Sequence, residues 1–161
     1  MKNILVSTDF SRCALKVALC TAEVAQAAGA RLILFHVYRA EHASETEEET
    51  DVNSERCVQN RLDKLARKLH KKTGVSITRL MKPVSVSDDT LEVAQLVKAN
   101  VAVICEQTLQ TDAQLSATSY NGMPVITVPT ASAPDLDALQ QQLATQLNPL
   151  GFSPAPLLEA I

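Results

Sequence analysis

The residues best placed to do chemistry are the four at positions 7–10, Ser-Thr-Asp-Phe, which follow a short apolar run. That run, Ile-Leu-Val at positions 4–6, is typical of a central strand buried on both faces. Beyond Ser11 the apolar residues take helical spacing. A buried strand, a polar turn and a helix predict the first half of a parallel βαβ unit, and ligands bind in such turns at the carboxyl ends of strands.

Asp9 is the first functional candidate in this turn, and two roles are open to it. Its carboxylate could contact a ligand. Alternatively, it could cap the following helix by accepting hydrogen bonds from exposed amides, a role worth roughly 1 kcal/mol that Ser11 could also fill. The capping interpretation predicts that Asp9→Ala lowers the melting temperature. A ligand role predicts loss of a bound ligand at unchanged stability.

The remaining chemistry-bearing residues lack the spacing of a metal or catalytic site. The four cysteines form no Cys-x-x-Cys pair and have no histidine at zinc spacing. His36 ends a predicted strand and is interpreted as a structural, hydrogen-bonded residue. Residues 40–53 form an acidic stretch that is predicted to be a solvated loop and lacks the residue order of a calcium loop. We therefore expect no catalytic residue, no metal and reduced cysteines, as in a cytoplasmic protein.

The composition narrows the class of partner. The chain has 161 residues and a net charge of −3, with three Phe, two Tyr and no Trp. A nucleic-acid binder would usually carry a basic face or aromatic platforms, so we expect no nucleic-acid partner. The sequence predicts no signal peptide and shows no apolar run long enough to cross a membrane, so we expect no membrane partner.

The hydrophobic pattern predicts strands and helices in alternation. Strands are predicted at 4–6, 31–39, 75–82, 101–105 and 124–129, and helices at 11–28, 54–73 and 87–99, with a short helix permitted between 106 and 122. This order, with a fifth strand closing the series, predicts an α/β fold with an open, mostly parallel, doubly wound sheet. Prolines at both ends of the fifth strand favour an edge position.

The composition changes after Thr130. Four leucines in the tail have the spacing of one helical stripe, which must pack on the domain or on a partner chain. The sequence thus predicts an α/β domain at 1–130 and a partly helical C-terminal extension at 131–161. It also predicts a homodimer through strand 124–129, through the tail, or through both.

Three motifs resemble universal stress proteins: residues 2–11 with the Ala-Leu that follows at 14–15, residues 27–37 (Ala-Ala-Gly-Ala-Arg-Leu-Ile-Leu-Phe-His-Val), and residues 123–128 (Met-Pro-Val-Ile-Thr-Val). The resemblance covers about 1–130. It implies an adenine nucleotide alpha hydrolase-like sheet in the order 3-2-1-4-5 with helices on both faces, dimers through the fifth strands and, in one branch of the family, ATP between strands one and four. The residues it implies for a bound nucleotide are Ser7, Thr8, Asp9, Phe10 and Val37.

The ATP-binding branch requires a glycine-rich segment after strand four, because the backbone must approach the phosphates without a Cβ in the way. Here the matching segment, residues 105–122, contains one glycine, at its far end. Glu106 and Asp112 add negative charge where a triphosphate would lie, and each like-charge contact costs about 1 kcal/mol even at high dielectric. The phosphate-binding half of that site is missing from the sequence.

Three functions follow from this pattern. The first is a universal-stress-type dimer that does not bind ATP and acts as a stress-response or regulatory module through protein contacts. The second is a binder of an adenine nucleotide or adenosine at the turn between strands one and four. We expect no cofactor under the first function, and ATP or AMP is the alternative. The third is an enzyme on the related nucleotide-transferase scaffold. The sequence has no His-x-Gly-His, Gly-x-Ser-x-Gly or P-loop motif, so we expect no enzyme.

Overall fold

The computed structural model describes residues 2–38, 47–83, 90–106, 115–129 and 134–147. They form six strands and four helices. The strands are β1 (Asn3–Ser7), β2 (Arg31–Tyr38), β3 (Ile77–Pro83), β4 (Val101–Glu106), β5 (Ser116–Tyr120) and β6 (Met123–Pro129). The helices are α1 (Arg12–Ala28), α2 (Glu47–Thr73), α3 (Thr90–Leu96) and α4 (Leu136–Leu147).

The strands form one sheet in the order β3-β2-β1-β4-β6-β5. Every neighbouring pair is parallel except β5 with β6, which is antiparallel. The predicted α/β class, the mostly parallel sheet and the order of the five predicted strands are confirmed. The sixth strand, β5, was not predicted.

The strand at 124–129 is β6, and its predicted edge position is wrong. It pairs with β4 on one side and with β5 on the other. Asn121 and Gly122 both have positive φ, 49° and 86°, which is the pattern of a tight hairpin turn that suits the twist of the strands. This turn folds β5 back along β6. The outer edge of the described sheet on this side is therefore β5.

Two apolar clusters show that helices cover both faces of the sheet. One cluster joins the sheet to α1, α2 and α4, and the other joins it to α3. Successive residues of β1 alternate between the clusters, with Ile4 and Val6 in the first and Leu5 in the second. The central strands are buried on both sides, as their unbroken apolar runs predicted.

Helix α1 begins and ends where its sequence predicted. The Oγ of Ser11 accepts a hydrogen bond from the amide of Ala14 at 3.1 Å, and Gly29 ends the helix with a φ of 69°. Ala18, Ala22 and Ala25 are fully buried. These small side chains let the helix lie close to the sheet.

Helix α2 begins earlier than predicted. It begins at Glu47, so Ser54 lies inside the helix and does not cap it. The predicted loop at 40–53 is therefore wrong for residues 47–53, and residues 39–46 lie outside the described residues. The physical reason is that Glu is a good helix former and acidic residues favour a helix N-terminus. One stripe of α2 is buried, formed by Val58, Leu62, Leu65 and Leu69.

Smaller differences concern the third helix and the segment before β6. Helix α3 ends at Leu96, before the predicted end at 99, and Leu96 is 80% exposed. Lys98 has a positive φ of 58°, so the chain has left the helix there. The predicted start of this helix at 87 lies outside the described residues. Residues 107–114 of the stretch in which a short helix was permitted also lie outside the described residues, and residues 116–120 form β5.

Helix α4 forms at the predicted leucine stripe and packs on its own chain. Leu139, Leu143 and Leu147 are buried in the same cluster as α1 and α2. The side chain of Lys2 donates to the carbonyl of Leu147 and ties the helix end to the start of β1. The apolar stripe of the tail is thus covered within the chain. The domain boundary at 130 stays a prediction.

Candidate functional site

The turn at 7–10 lies between the carboxyl ends of β2 and β4. The amide of Thr8 donates to the carbonyl of Phe35 on β2 at 2.9 Å. On the other side, the Oγ of Ser7 accepts from the amide of Cys105 on β4 at 3.2 Å. In the sheet, β2 and β3 follow β1 on one side and β4 lies on its other side, so the strand order reverses between β1 and β4. This is the topological switch point at which ligands of open α/β sheets bind.

Two side chains hold the turn in an unusual backbone conformation. Phe10 has a φ of 64°, which few residues other than glycine adopt and which costs on the order of 1 kcal/mol. The amide of Phe10 donates to Thr8 Oγ1 at 3.0 Å, and the amide of Ser11 donates to Asp9 Oδ1 at 2.9 Å. Thr8 is only 5% exposed, so its hydroxyl is committed to the fold.

These contacts correct the role predicted for Asp9. Ser11 is the residue that caps α1, while Asp9 accepts from the amide of Ser11 itself, one step before the helix. Asp9 therefore shapes the turn and does not satisfy the first amides of the helix. Its side chain is exposed, so its carboxylate lies at the mouth of the turn, where solvent or a ligand can reach it.

His36 has the structural role that was predicted for it. Its Nδ1 lies 2.6 Å from the carbonyl oxygen of Thr8, so the ring N–H donates to the turn. Its ring also lies against that of Phe10, with centroids 4.6 Å apart and planes at 47°. The guanidinium of Arg61, on α2, lies 4.5 Å from the centre of the Phe10 ring. Such a cation–π contact is worth roughly 0.5–1 kcal/mol at an exposed site.

Val37 lies beside this turn, as the resemblance implied. Strand β1 pairs with the first five residues of β2, from Arg31 to Phe35, and β2 continues to Tyr38. The backbone of Val37 thus extends beyond the last β1 partner, although it still pairs with Lys82 of β3. The structure brings the five predicted site residues together at one end of the sheet. Arg61 is the contact that the sequence pattern did not reveal.

The nearby cysteines are poor nucleophiles. Burial raises the pKa of Cys105 to about 12, and the negative charges of Cys13 and Asp9 add to the rise. Burial also raises the pKa of Cys20, to about 11, and that of Cys13. A raised thiol pKa lowers the fraction of reactive thiolate at neutral pH. The site therefore has no activated thiol to carry covalent chemistry.

The alkylation rates of the cysteines should follow their exposure. Iodoacetamide at neutral pH should modify Cys57, which is exposed, well before Cys20 and Cys105. Peptide mass spectrometry over time measures this ranking. The buried thiols should gain reactivity only as the pH rises towards their raised pKa values, because the thiolate is the reacting form. Modification of Cys105 as fast as Cys57 would contradict the burial described for it.

The segment after β4 does not fit a triphosphate. Its single glycine, Gly122, lies in the hairpin turn, and its residues 116–120 pair with β6 as a strand. Those residues cannot also wrap around phosphates. The exposed Asp9 carboxylate and the β2 backbone past Phe35 lie at the same end of the sheet.

No helix in the described ranges is both long and apolar enough to cross a lipid bilayer. Comparison with curated proteins gave no match. Comparison with solved structures gave several of the same fold, all below 25% identity, three of which follow.

The first is universal stress protein UspA from Lactobacillus plantarum, at 14% identity and a TM-score of 0.60, covering 79% of this chain and 97% of that one. The second is an Arabidopsis thaliana universal stress protein family protein with AMP bound, at 18% identity and a TM-score of 0.57, covering 81% and 94%. The third is the Archaeoglobus fulgidus universal stress protein in complex with dAMP, at 20% identity and a TM-score of 0.52, covering 65% and 81%.

The sequence pattern of the universal stress protein family matches residues 1–115, which include the switch-point turn and the first four strands of the parallel sheet. The match covers more than half of the chain. This chain belongs to the universal stress protein family.

Proposed function

We propose that this family member is a regulatory module that is not an enzyme, does not hold ATP, and acts in the cytoplasm through protein contacts. The segment after β4 carries the proposal: it has one glycine, and residues 116–120 of it are committed to the sheet. Glycine amides that could approach a triphosphate are absent from that sequence. No disulfide joins the four cysteines within the described part of the chain, which supports a reducing compartment such as the cytoplasm.

A second candidate is a binder of adenosine or AMP at the same turn. The structures with AMP and dAMP described above share this fold. Here Asp9 and the backbone of Val37 lie where they could contact a nucleoside, and neither requires the missing phosphate loop. This candidate keeps the nucleoside half of the site and omits the triphosphate half.

Calorimetric titration separates the two candidates. The purified protein is titrated with ATP, AMP and adenosine, and Asp9→Asn serves as the matched variant that keeps the side-chain oxygen but loses the charge. The first proposal expects no binding of ATP in the micromolar range, and micromolar binding would contradict it. Micromolar binding of AMP or adenosine, weakened in the variant, would support the second candidate, whereas no binding of either would contradict it.

We also propose that the chain forms a homodimer. Because β5 covers the strand at 124–129, the proposed contact is through β5. Among the described strands, β5 has a partner on one side only, and its residues Ser-Ala-Thr-Ser-Tyr carry no charge and no proline. Edge strands of proteins that stay monomeric are usually protected by charged residues or proline, which β5 lacks. The opposite edge, β3, carries Arg79, which pairs with Asp63 of α2, and Lys82. Edge-to-edge pairing of two β5 strands is the route that this contrast favours.

Thr118→Lys should reduce the dimer to a monomer, because two facing copies would bring like charges together in the middle of the short edge. Light scattering coupled to gel filtration measures the mass. Gln140→Lys on α4 is the control, since it adds the same charge at an exposed site away from β5. A wild-type monomer would refute the dimer. A dimer that persists in Thr118→Lys would refute the β5 route.

A further inference from the structure

A groove with a basic rim and an apolar floor runs between α1 and α2. Its cavity volume is about 400 Å³, within the range of ligand-binding clefts. Its floor is formed by the side chains of Phe10, Leu15, Leu19, Leu65 and Leu69. Leu65 and Leu69 are buried, while the α1 leucines and Phe10 are half-buried and present apolar surface to the groove.

Among the described residues, the charged side chains that line this groove are all positive. These basic residues are Arg12, Lys16, Arg61, Lys64, Lys68 and Lys72. No acidic residue of the described ranges lines the groove, although the chain as a whole carries a net charge of −3. All six side chains are exposed, and none makes an ion pair within the part of the chain that the structure describes. An anionic partner could therefore engage them without displacing an existing ion pair.

The spacing of these residues places them on both sides of the floor. On α2 the four cations follow one another at intervals of three, four and four residues, which keeps them on one helix face. On α1, Arg12 and Lys16 are four residues apart and form the other side. The α2 row covers twelve residues, and its two ends lie about 16 Å apart at the rise of an α-helix. Dipole effects at the C-terminus of α2 do not explain cations that begin three turns earlier.

We propose that this groove binds an acidic amphipathic helix of a partner protein. This inference rests on the proposal above that the chain acts through protein contacts. A helix of about three turns would lay apolar residues on the leucine floor, and acidic residues on its two flanks would meet the two basic rows. The single anionic group of a fatty acid would leave most of the six cations without a counter-charge.

Two other occupants fit the groove less well. A membrane surface is flat and cannot reach an apolar floor that lies between two helices. Nucleic acid would satisfy the cations, but a floor of leucines offers no hydrogen bonds to bases, and the Phe10 ring already contacts Arg61. An elongated guest with an apolar stripe and acidic flanks matches both the shape and the charge.

Fluorescence anisotropy with designed helical peptides tests the proposal. The probe is a labelled peptide of about 14 residues, with Leu at positions i, i+3, i+4 and i+7 and Glu on both flanks. A matched peptide carries Lys in place of Glu. We expect the Glu peptide to bind, with an affinity that falls as salt rises, and the Lys peptide not to bind. No binding of the Glu peptide, or equal binding of both, would overturn the proposal.

Variants locate the binding site. The double variant Lys64→Glu with Lys68→Glu should weaken binding of the Glu peptide by roughly tenfold or more. The control Arg67→Glu with Lys71→Glu makes the same charge change on exposed residues of α2 that do not line the groove, and it should bind within about threefold of wild type. Equal weakening by both pairs would mean that net charge alone drives binding, which overturns the groove. Circular dichroism confirms that both variants fold.

Two further measurements address the alternatives. The wild-type protein and both double variants are mixed with anionic vesicles. If the wild type binds and only Lys64→Glu with Lys68→Glu loses this binding, the groove binds a membrane surface and the proposal is overturned. If the same variant becomes a monomer while the wild type is a dimer, the groove binds a second copy of the chain, which also overturns the proposal. Failure of the peptide test leaves the ATP titration unaffected, so the groove and the proposed function are tested separately.

Discussion

Replacing Leu143 with alanine should lower the free energy of unfolding by about 2–5 kcal/mol, one of the two largest effects expected of a single substitution in this chain. Leu143 is fully buried on α4, in the cluster that joins α1, α2 and the sheet. The loss combines the transfer free energy of the removed atoms with the cost of the cavity left behind. Urea unfolding followed by circular dichroism measures it.

Gln140→Ala on the same helix is the matched control. Its side chain is exposed, so its removal should change the free energy of unfolding by no more than about 0.5 kcal/mol. If Leu143→Ala were as mild as this control, α4 would not share the core of the α/β fold. The tail would then be an independent appendage that could pack elsewhere.

Phe35→Ala should cost about 3–5 kcal/mol of unfolding free energy. Phe35 is fully buried in the cluster on the α3 face, and its carbonyl accepts a hydrogen bond from the amide of Thr8. The substitution should thus weaken the switch-point turn together with the core. Urea unfolding gives the stability, and hydrogen exchange at the Thr8 amide reports on the turn.

Thr78→Ala is the control for this substitution, because Thr78 is exposed on β3 and is paired with Ile33. It should leave both the unfolding free energy and the Thr8 exchange rate near their wild-type values. A Phe35→Ala variant with faster exchange at Thr8 but unchanged global stability would contradict the core role assigned to the ring.

The parts of the fold that were predictable are those whose local pattern agrees with their burial. Strands β1 and β4 are unbroken apolar runs, and α1 carries its own cap at Ser11 and its own stop at Gly29. Strand β5 was missed because its residues are polar and mostly exposed, so it has no apolar face to detect. The Asn121-Gly122 turn was the available signal.

The candidate site was predictable in position but not in detail. The end of a buried strand located residues 7–10, since that rule depends on sequence order alone. Phe10 has a positive φ, Asp9 accepts within the turn, and Ser11 caps the helix. These details depend on hydrogen-bond geometry within a few residues, which the sequence pattern does not specify. The contact of Arg61 with Phe10 joins two separate elements, and no local pattern predicts it.

The two unlike edges of the sheet also limit how large an assembly can grow. A sheet that could pair at both edges would add copies without end, as fibres do. Here the β3 edge carries Arg79 and Lys82, and only the β5 edge is uncharged. A molecule with one uncharged edge can pair with one other copy through its sheet. Pairing through β5 would join two copies about a twofold axis and then stop, because each outer end of the joined sheet would be a charged β3 strand.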